Sequence, residues 1–193
     1  MNLIDETAKT LLKVDERQIV LAVDVLHDVW AKKGMVFTCG NGGNSATASH
    51  LASDLRKWSS SFTLKTICLN DNAPLLTAIA NDDGFDEIYQ KQLLGFSESL
   101  EDVVVAFSVH GGEGRSENIL NLFRKAKENG RRRISFTGHD GGDLKRLSTV
   151  NINVPSESTP IIEGLHSVLA HIVAEELGKR IEIDTKGRSE NIL

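Results

Sequence analysis

The sequence has only two cysteines in 193 residues, no apolar run long enough to cross a membrane, and no surplus of positive charge. Each shortage excludes something. Cys39 and Cys68 lie at or near the ends of apolar, strand-like runs, where free thiols are buried and stay reduced. Cys39 also precedes a helix start, so a catalytic thiol is the alternative reading there. A span would need about 18 consecutive apolar residues. The N-terminus does not follow the basic-then-apolar pattern of a secretory leader. A formal net charge of −5 argues against a nucleic-acid or anionic-membrane partner, either of which calls for a basic face. The one basic run, Arg131 to Arg133, sits where a loop enters a strand and reads as a solvated turn. These features predict a soluble cytoplasmic protein. With 40% hydrophobic and 25% charged residues, the chain has the composition of one globular domain with a real core.

The chain is organised around Met35 to Lys57, MVFTCGNGGNSATASHLASDLRK. A buried strand breaks at glycines and restarts as a helix. A strand, a glycine-rich turn and a helix N-terminus form an anion cradle. His50 and Asp54 stand four residues apart, on one helix face, where they can hold a metal or move protons. Ahead of this stretch, residues 2–33 carry apolar positions at three- and four-residue spacings, a helical pattern that Asp15 divides in two and Gly34 closes. That pair has an apolar stripe to bury, against its own domain or against another subunit.

Beyond Lys57 the pattern alternates. Strands are predicted at 62–69, 102–109, 132–138 and 149–154. Helices are predicted at 73–81, 86–94, 116–129, 142–147 and 160–177. Strands alternating with helices predict a parallel sheet covered on both faces, with ligands at the carboxyl ends of the strands. Three of those ends are rich in glycine and hydroxyl groups: CGNGGNS at 39–45, SVHGGEGRS at 108–116 and TGHDGG at 137–142. Together they favour a phosphorylated small molecule. The heptapeptide GRSENIL occurs at 114–120 and again at 187–193. The second copy follows a charged segment, is expected to be poorly ordered, and is given no functional role.

CGNGGNSATASHLASDL, LLTAIANDDGFDEIYQKQL, VVVAFSVHGG, ISFTGHDGGDL and IIEGLHSVLAH occur in an order that resembles the SIS-domain sedoheptulose-7-phosphate isomerases (phosphoheptose isomerases). The resemblance covers about residues 1–182. It implies a flavodoxin-like, five-stranded parallel αβα sandwich with an N-terminal helical segment at 1–34, a SIS domain at 35–182 and a tail at 183–193. It also implies a homotetramer with active sites between subunits, one Zn2+ per subunit, and an aldose–ketose isomerase acting on a sugar phosphate, sedoheptulose 7-phosphate first among them.

Residue by residue, the resemblance assigns Asn41, Gly42 and Gly43 to the substrate-binding turn. Asn44 stands where the family has a phosphate-contacting serine. His50 and His171 match metal-binding histidines. Asp54 replaces a glutamate that serves as ligand and base, and Glu163 replaces a glutamine. Asn81 and Asp82 match an Asn-Asp pair, and Ser108 the first serine of the phosphate loop. His110 stands at the second serine, Ser116 is a candidate third, and Thr159 heads the last helix, followed by Pro160 where the family has Asp. The expected metal set is His50, Asp54, Glu163 and His171, with Asp54 as base and His171 as acid or ligand. Glu163 and His171 are eight residues apart, roughly 12 Å along one helix. One metal takes both only if the side chains converge or a neighbouring subunit contributes. His166, one turn from Glu163, is a competing ligand or a supporting group. The altered loop leaves a second reading open, a non-catalytic SIS module that binds a phosphosugar or a protein, and a third, an isomerase for another sugar phosphate.

Overall fold

The computed structural model describes residues 2–57, 63–96, 99–112 and 114–190, with the backbone alone for 187–190. Five parallel strands form one sheet: β1 (Met35–Gly40), β2 (Lys65–Cys68), β3 (Val103–Ser108), β4 (Arg132–Thr137) and β5 (Val150–Asn153), in the order β2-β1-β3-β4-β5. This is the flavodoxin-like order, and the chain reverses its direction of travel between β1 and β3. A crevice therefore opens outside the ends of those two strands, at Gly40 and Ser108. The predicted first strand after the turn begins at Phe62, which lies outside the described residues.

Both sheet faces are covered because the central strand is apolar on both. Val103, Val105 and Phe107 pack toward one helix layer, Val104 and Ala106 toward the other. The first layer holds α2 (Glu16–Ala31), α3 (Gly43–Lys57) and α8 (Thr159–Glu190). The second holds α4 (Ala73–Asp82), α5 (Gln90–Leu93), α6 (Glu117–Glu128) and α7 (Gly142–Leu147). Between α4 and α5 the predicted second helix is reduced to a 3₁₀ turn at Phe85–Glu87 followed by the single turn of α5.

The N-terminal stretch is two helices, as its spacing predicts. Asp15 caps α2, its carboxylate accepting from the Arg17 N–H, after α1 (Leu3–Leu11) ends. Ala22, Val23, Leu26 and Val29 of α2 are buried in the chain's own core. That helix docks on its own domain, whereas α1 leaves Leu3 and Ile4 exposed. The α2 C-terminus is a Schellman turn in which Gly34 N–H donates to the Val29 carbonyl (2.9 Å) and Lys33 to that of Trp30 (3.1 Å). Its left-handed residue is Lys33 (φ 60°), not the glycine.

Two expectations are corrected. The last helix does not stop at Leu177 but continues to Glu190, so 183–190 belong to it; residues 191–193 lie outside the described residues. Ile181 is buried, Arg180 pairs with Asp24, and Asp184 lies 2.9 Å from His27 Nε2, so contacts with α2 hold the extra turns. The basic run is not a solvated turn either. Arg131 is 1% exposed, with its guanidinium 5.8 Å from the Phe37 ring centre and its Nε 3.6 Å from the buried Asp102 carboxylate. A buried cation needs such a counter-charge. Asp102 in turn accepts from the Met35 N–H (2.9 Å), so the pair fixes the start of β1. Cys39 and Cys68 are buried free thiols, and burial raises the pKa of both, that of Cys39 strongly, which removes the catalytic-thiol reading.

Candidate active site

β1 delivers Gly40 and Asn41 to the carboxyl edge of the sheet, and α3 begins at Gly43. Asn70, just after β2, brackets Gly40: its Oδ1 accepts from the Gly40 N–H (3.1 Å) and its Nδ2 donates to the Gly40 carbonyl (2.9 Å). The buried Tyr89 hydroxyl donates to the same carbonyl at 2.7 Å and lies 3.0 Å from Asn41 Oδ1. Burial raises the Tyr89 pKa, so it stays a neutral donor. Asn41 and Asn118 exchange amide hydrogen bonds at 2.9 and 3.0 Å, and Asn41 Nδ2 also donates to Ser116 Oγ (3.1 Å). The turn is thus held by side chains from three other segments. A cavity of about 270 Å³ opens against it, lined in part by Asn41, Gly42, Ser45, Asn70, Thr77 and Tyr89.

The sequence-derived substrate residues divide around this turn. A Cβ at Gly43 would stand 2.8 Å from Glu163 Oε2, so any larger residue there would push the Glu163 side chain aside; that proximity puts the Glu163 carboxylate beside the cradle. Asn44 does not face the cavity. It is 2% exposed, and its Oδ1 lies 2.9 Å from Nδ1 of the fully buried His166. Asparagine is long enough for its amide oxygen to reach that ring. Ser45, its neighbour, reaches the cavity instead. Ser108 is buried at the end of β3, and Ser116 is turned to Asn41. Asn81 and Asp82 bond to each other (2.8 Å) on the exposed C-terminal end of α4, and Thr159 is exposed at the head of α8. His110 stands apart from the Asn41 turn, stacked on His139.

The metal set comes together in three of its four members. α3 and α8 pack against each other. His50, Asp54 and His171 each offer a ligand atom within 4.8 Å of the others. Asp54 sits between the rings, Oδ1 3.6 Å from His50 Nε2 and Oδ2 3.1 Å from His171 Nδ1, and the two rings meet edge to face at 4.7 Å. Two imidazole nitrogens and a carboxylate suit a divalent cation such as zinc and leave a position for a ligand. Glu163 is not part of this cluster within one chain, as the 12 Å helix spacing anticipates. His166 is not a member of this cluster: it is fully buried, and its Nδ1 lies 2.9 Å from Asn44 Oδ1; burial also lowers its pKa to about 4.

Asn70, Tyr89, Asn118 and the Asn44–His166 contact were missed from sequence. Asn70 had a signal, since it directly follows a strand carboxyl end. The other three depend on helices brought in from far along the chain.

Residues 1–138 match the SIS domain family. A phosphoheptose isomerase of Helicobacter pylori strain P12 is 34% identical over 172 residues, covering 88% of each chain. The chain belongs to the SIS domain family, on its phosphoheptose isomerase branch. The lincomycin biosynthesis protein LmbN of Streptomyces lincolnensis is 38% identical over 88% of this chain, which spans 65% of LmbN's length. Among solved structures, the phosphoheptose isomerase GmhA of Neisseria gonorrhoeae superposes with a TM-score of 0.83 at 28% identity, over 91% of this chain and 95% of that one. No helix among the described residues of this SIS-domain chain is long and apolar enough to cross a membrane.

Proposed function

We propose that the chain is a metal-dependent sugar-phosphate isomerase that interconverts sedoheptulose 7-phosphate and an aldoheptose 7-phosphate. The relatives support the reaction class. The observation that carries the chemistry is Asp54, partly exposed between His50 and His171.

Isomerisation takes a proton from C1 of the ketose and returns one to C2, while a hydroxyl proton moves from O1 to O2. Asp54 is the base, its orientation set by the two rings, and it has one carbon-to-carbon proton to carry. His171 beside it exchanges the oxygen proton. His50, Asp54 and His171 would hold a divalent cation, Zn2+ in this proposal, which would supply positive charge beside the substrate's carbonyl oxygen. The Asn41–Gly43 turn, Glu163, Asn81, Asp82, Ser108, Ser116 and Thr159 are assigned to the substrate, and Asn44 only to the turn's scaffold. A homotetramer is part of the proposal; the exposed Leu3, Ile4 and Leu12 support it.

The decisive experiment is metal analysis of the purified protein with an isomerisation assay on sedoheptulose 7-phosphate. Bound zinc and turnover are expected. A folded protein with neither overturns the proposal. The second reading is an isomerase for a different ketose phosphate, on the route to a secondary metabolite. It is favoured by the likeness to LmbN and by the departures at Asn44 and His110, and turnover of another ketose phosphate alone would select it.

A further inference from the structure

The cavity at the Asn41 turn has two unlike walls, and no charged side chain lines it. Its hydroxyls are already engaged as donors. Ser45 Oγ donates to the Gly42 carbonyl (2.7 Å), Thr77 Oγ1 to that of Ala73 (2.9 Å) and the Tyr89 hydroxyl to that of Gly40 (2.7 Å). A hydroxyl whose proton is so engaged offers a ligand only its lone pairs. Such a wall suits groups that donate, as sugar hydroxyls do, and it offers no cation to a phosphate, which only accepts.

The other wall is apolar. Leu76 and Ala80 of α4 and Ile88 pack on the core under the second helix layer, and Phe85 completes the wall while 58% exposed. A lone exposed phenylalanine is ordinary on a protein surface. This one is held in place. Gly84 before it sits at φ 103° and ψ 157°, a conformation open essentially to glycine alone. The Gly84 N–H donates to the Ile79 carbonyl of α4 (3.2 Å), and the Gly84 carbonyl accepts from the Glu87 N–H (3.1 Å). On the far side, Asn121 of α6 donates to the Asp86 carbonyl (3.3 Å). An anchored turn thus adds an uncovered aromatic ring to a cavity whose opposite wall accepts hydrogen bonds.

We infer that Phe85 is a further substrate-recognition residue: its ring receives the C–H face of the substrate's carbon chain, while Ser45 and Thr77 accept from hydroxyls on the chain's other edge. The carbon-bound hydrogens of a sugar carry slight positive charge, and the face of an aromatic ring is its negative side, so the two attract beyond the apolar area they cover. A polyhydroxylated chain has both edges, hydroxyl and C–H, as the two walls require. The uncharged cavity takes that neutral chain and leaves the phosphate outside. Its volume, about 270 Å³, lies below the roughly 300–1,000 Å³ of a pocket that encloses a whole ligand, in keeping with a cavity that holds one part of the substrate. The ligand named here rests on the isomerase reading, so binding and turnover are measured separately.

The test is equilibrium dialysis of the full chain against sedoheptulose 7-phosphate, which reads bound sugar phosphate whether or not turnover occurs, with steady-state kinetics beside it. Phe85→Ala should weaken binding and raise KM about tenfold, with kcat changed less than about twofold. Phe85→Tyr, which keeps the ring, should restore both. Phe85→Leu, apolar but without a ring, should recover only part. Because Phe85 is exposed, all three variants should unfold at the wild-type urea concentration and sediment as the wild-type oligomer. Unaltered binding in Phe85→Ala, full recovery in Phe85→Leu, or a changed oligomer in Phe85→Ala overturns the proposal. It fails separately from the isomerase reading. Wild-type binding without turnover, still weakened in Phe85→Ala, removes the isomerase and keeps the role of the ring. Turnover with a KM indifferent to Phe85→Ala does the reverse, and a wild type that neither binds nor turns over the sugar phosphate removes both.

Discussion

The two ends of α3 are built in opposite ways. At its N-terminus the Asn41 turn is locked: Asn41, Gly40 and Asn44 bond to Asn70, Tyr89, Asn118 and His166, and Asn44 and His166 are buried almost completely. Farther along it, His50 and His171 are 57% and 47% exposed, and Asp54 lies between those two rings. In the proposed reaction the locked end would fix where the phosphosugar lies. The open end leaves its polar atoms available to a cation and a substrate. Rigidity and reactivity are thus separated along one helix, and substitutions at the two ends should fail differently.

The largest effect is expected at the open end. Asp54→Asn should lower kcat by about 10²- to 10⁴-fold with an unchanged circular dichroism spectrum. A drop of only a few units, or loss of the fold, would break the contrast by making Asp54 structural. Removing the cation with a chelator should cost at least about a hundredfold in turnover, restored by added zinc, with little change in secondary structure. At the locked end the effect moves to stability. His166→Ala leaves a buried cavity and an unpaired Asn44 amide, for a loss of about 2–4 kcal/mol in urea unfolding.

The same histidine gives the wild type a pH signature. Its folded pKa is about 4, below the unfolded value near 6.5. The neutral ring therefore contributes stability above pH 6.5, and that contribution, on the order of 3 kcal/mol, is lost as pH falls toward 4. Urea midpoints measured across that window in His166→Leu should lack this slope; an unchanged slope would assign it elsewhere. Smallest of all, Tyr89→Phe should cost about 1 kcal/mol and raise KM more than it lowers kcat, since it loosens the turn and touches no reacting group.

Much of the architecture is legible in the sequence because it is local. The alternation of apolar strands with amphipathic helices gives the parallel sheet and both helix layers, and Asp15 marks its helix start by capping it. The i, i+4 spacing of His50 and Asp54 already places both on one helix face. What escapes is set by partners far away in the chain. The sequence pattern ends the last helix at Leu177, yet burial of Ile181 and the Arg180–Asp24 pair, 156 positions apart, carry it further. Arg131 reads as a surface cation until Asp102 and Phe37 are folded around it. Asn44 inherits a ligand contact from its place in the motif, and only the approach of α8, 122 positions on, turns its side chain inward.

The seam between α2 and α8 has a consequence for how the chain is made. α2 leaves the ribosome well before α8, and Asp24, His27 and Ile181 belong to the seam between them. Until α8 is synthesised, α2 has only the sheet to pack on, and the strip of it that faces α8 stays exposed on the nascent chain. We expect chains stalled before Gly178 to be cut by protease within α2 and to recruit chaperones there. Protection of α2 in such stalled chains would show that the sheet alone is enough to close it.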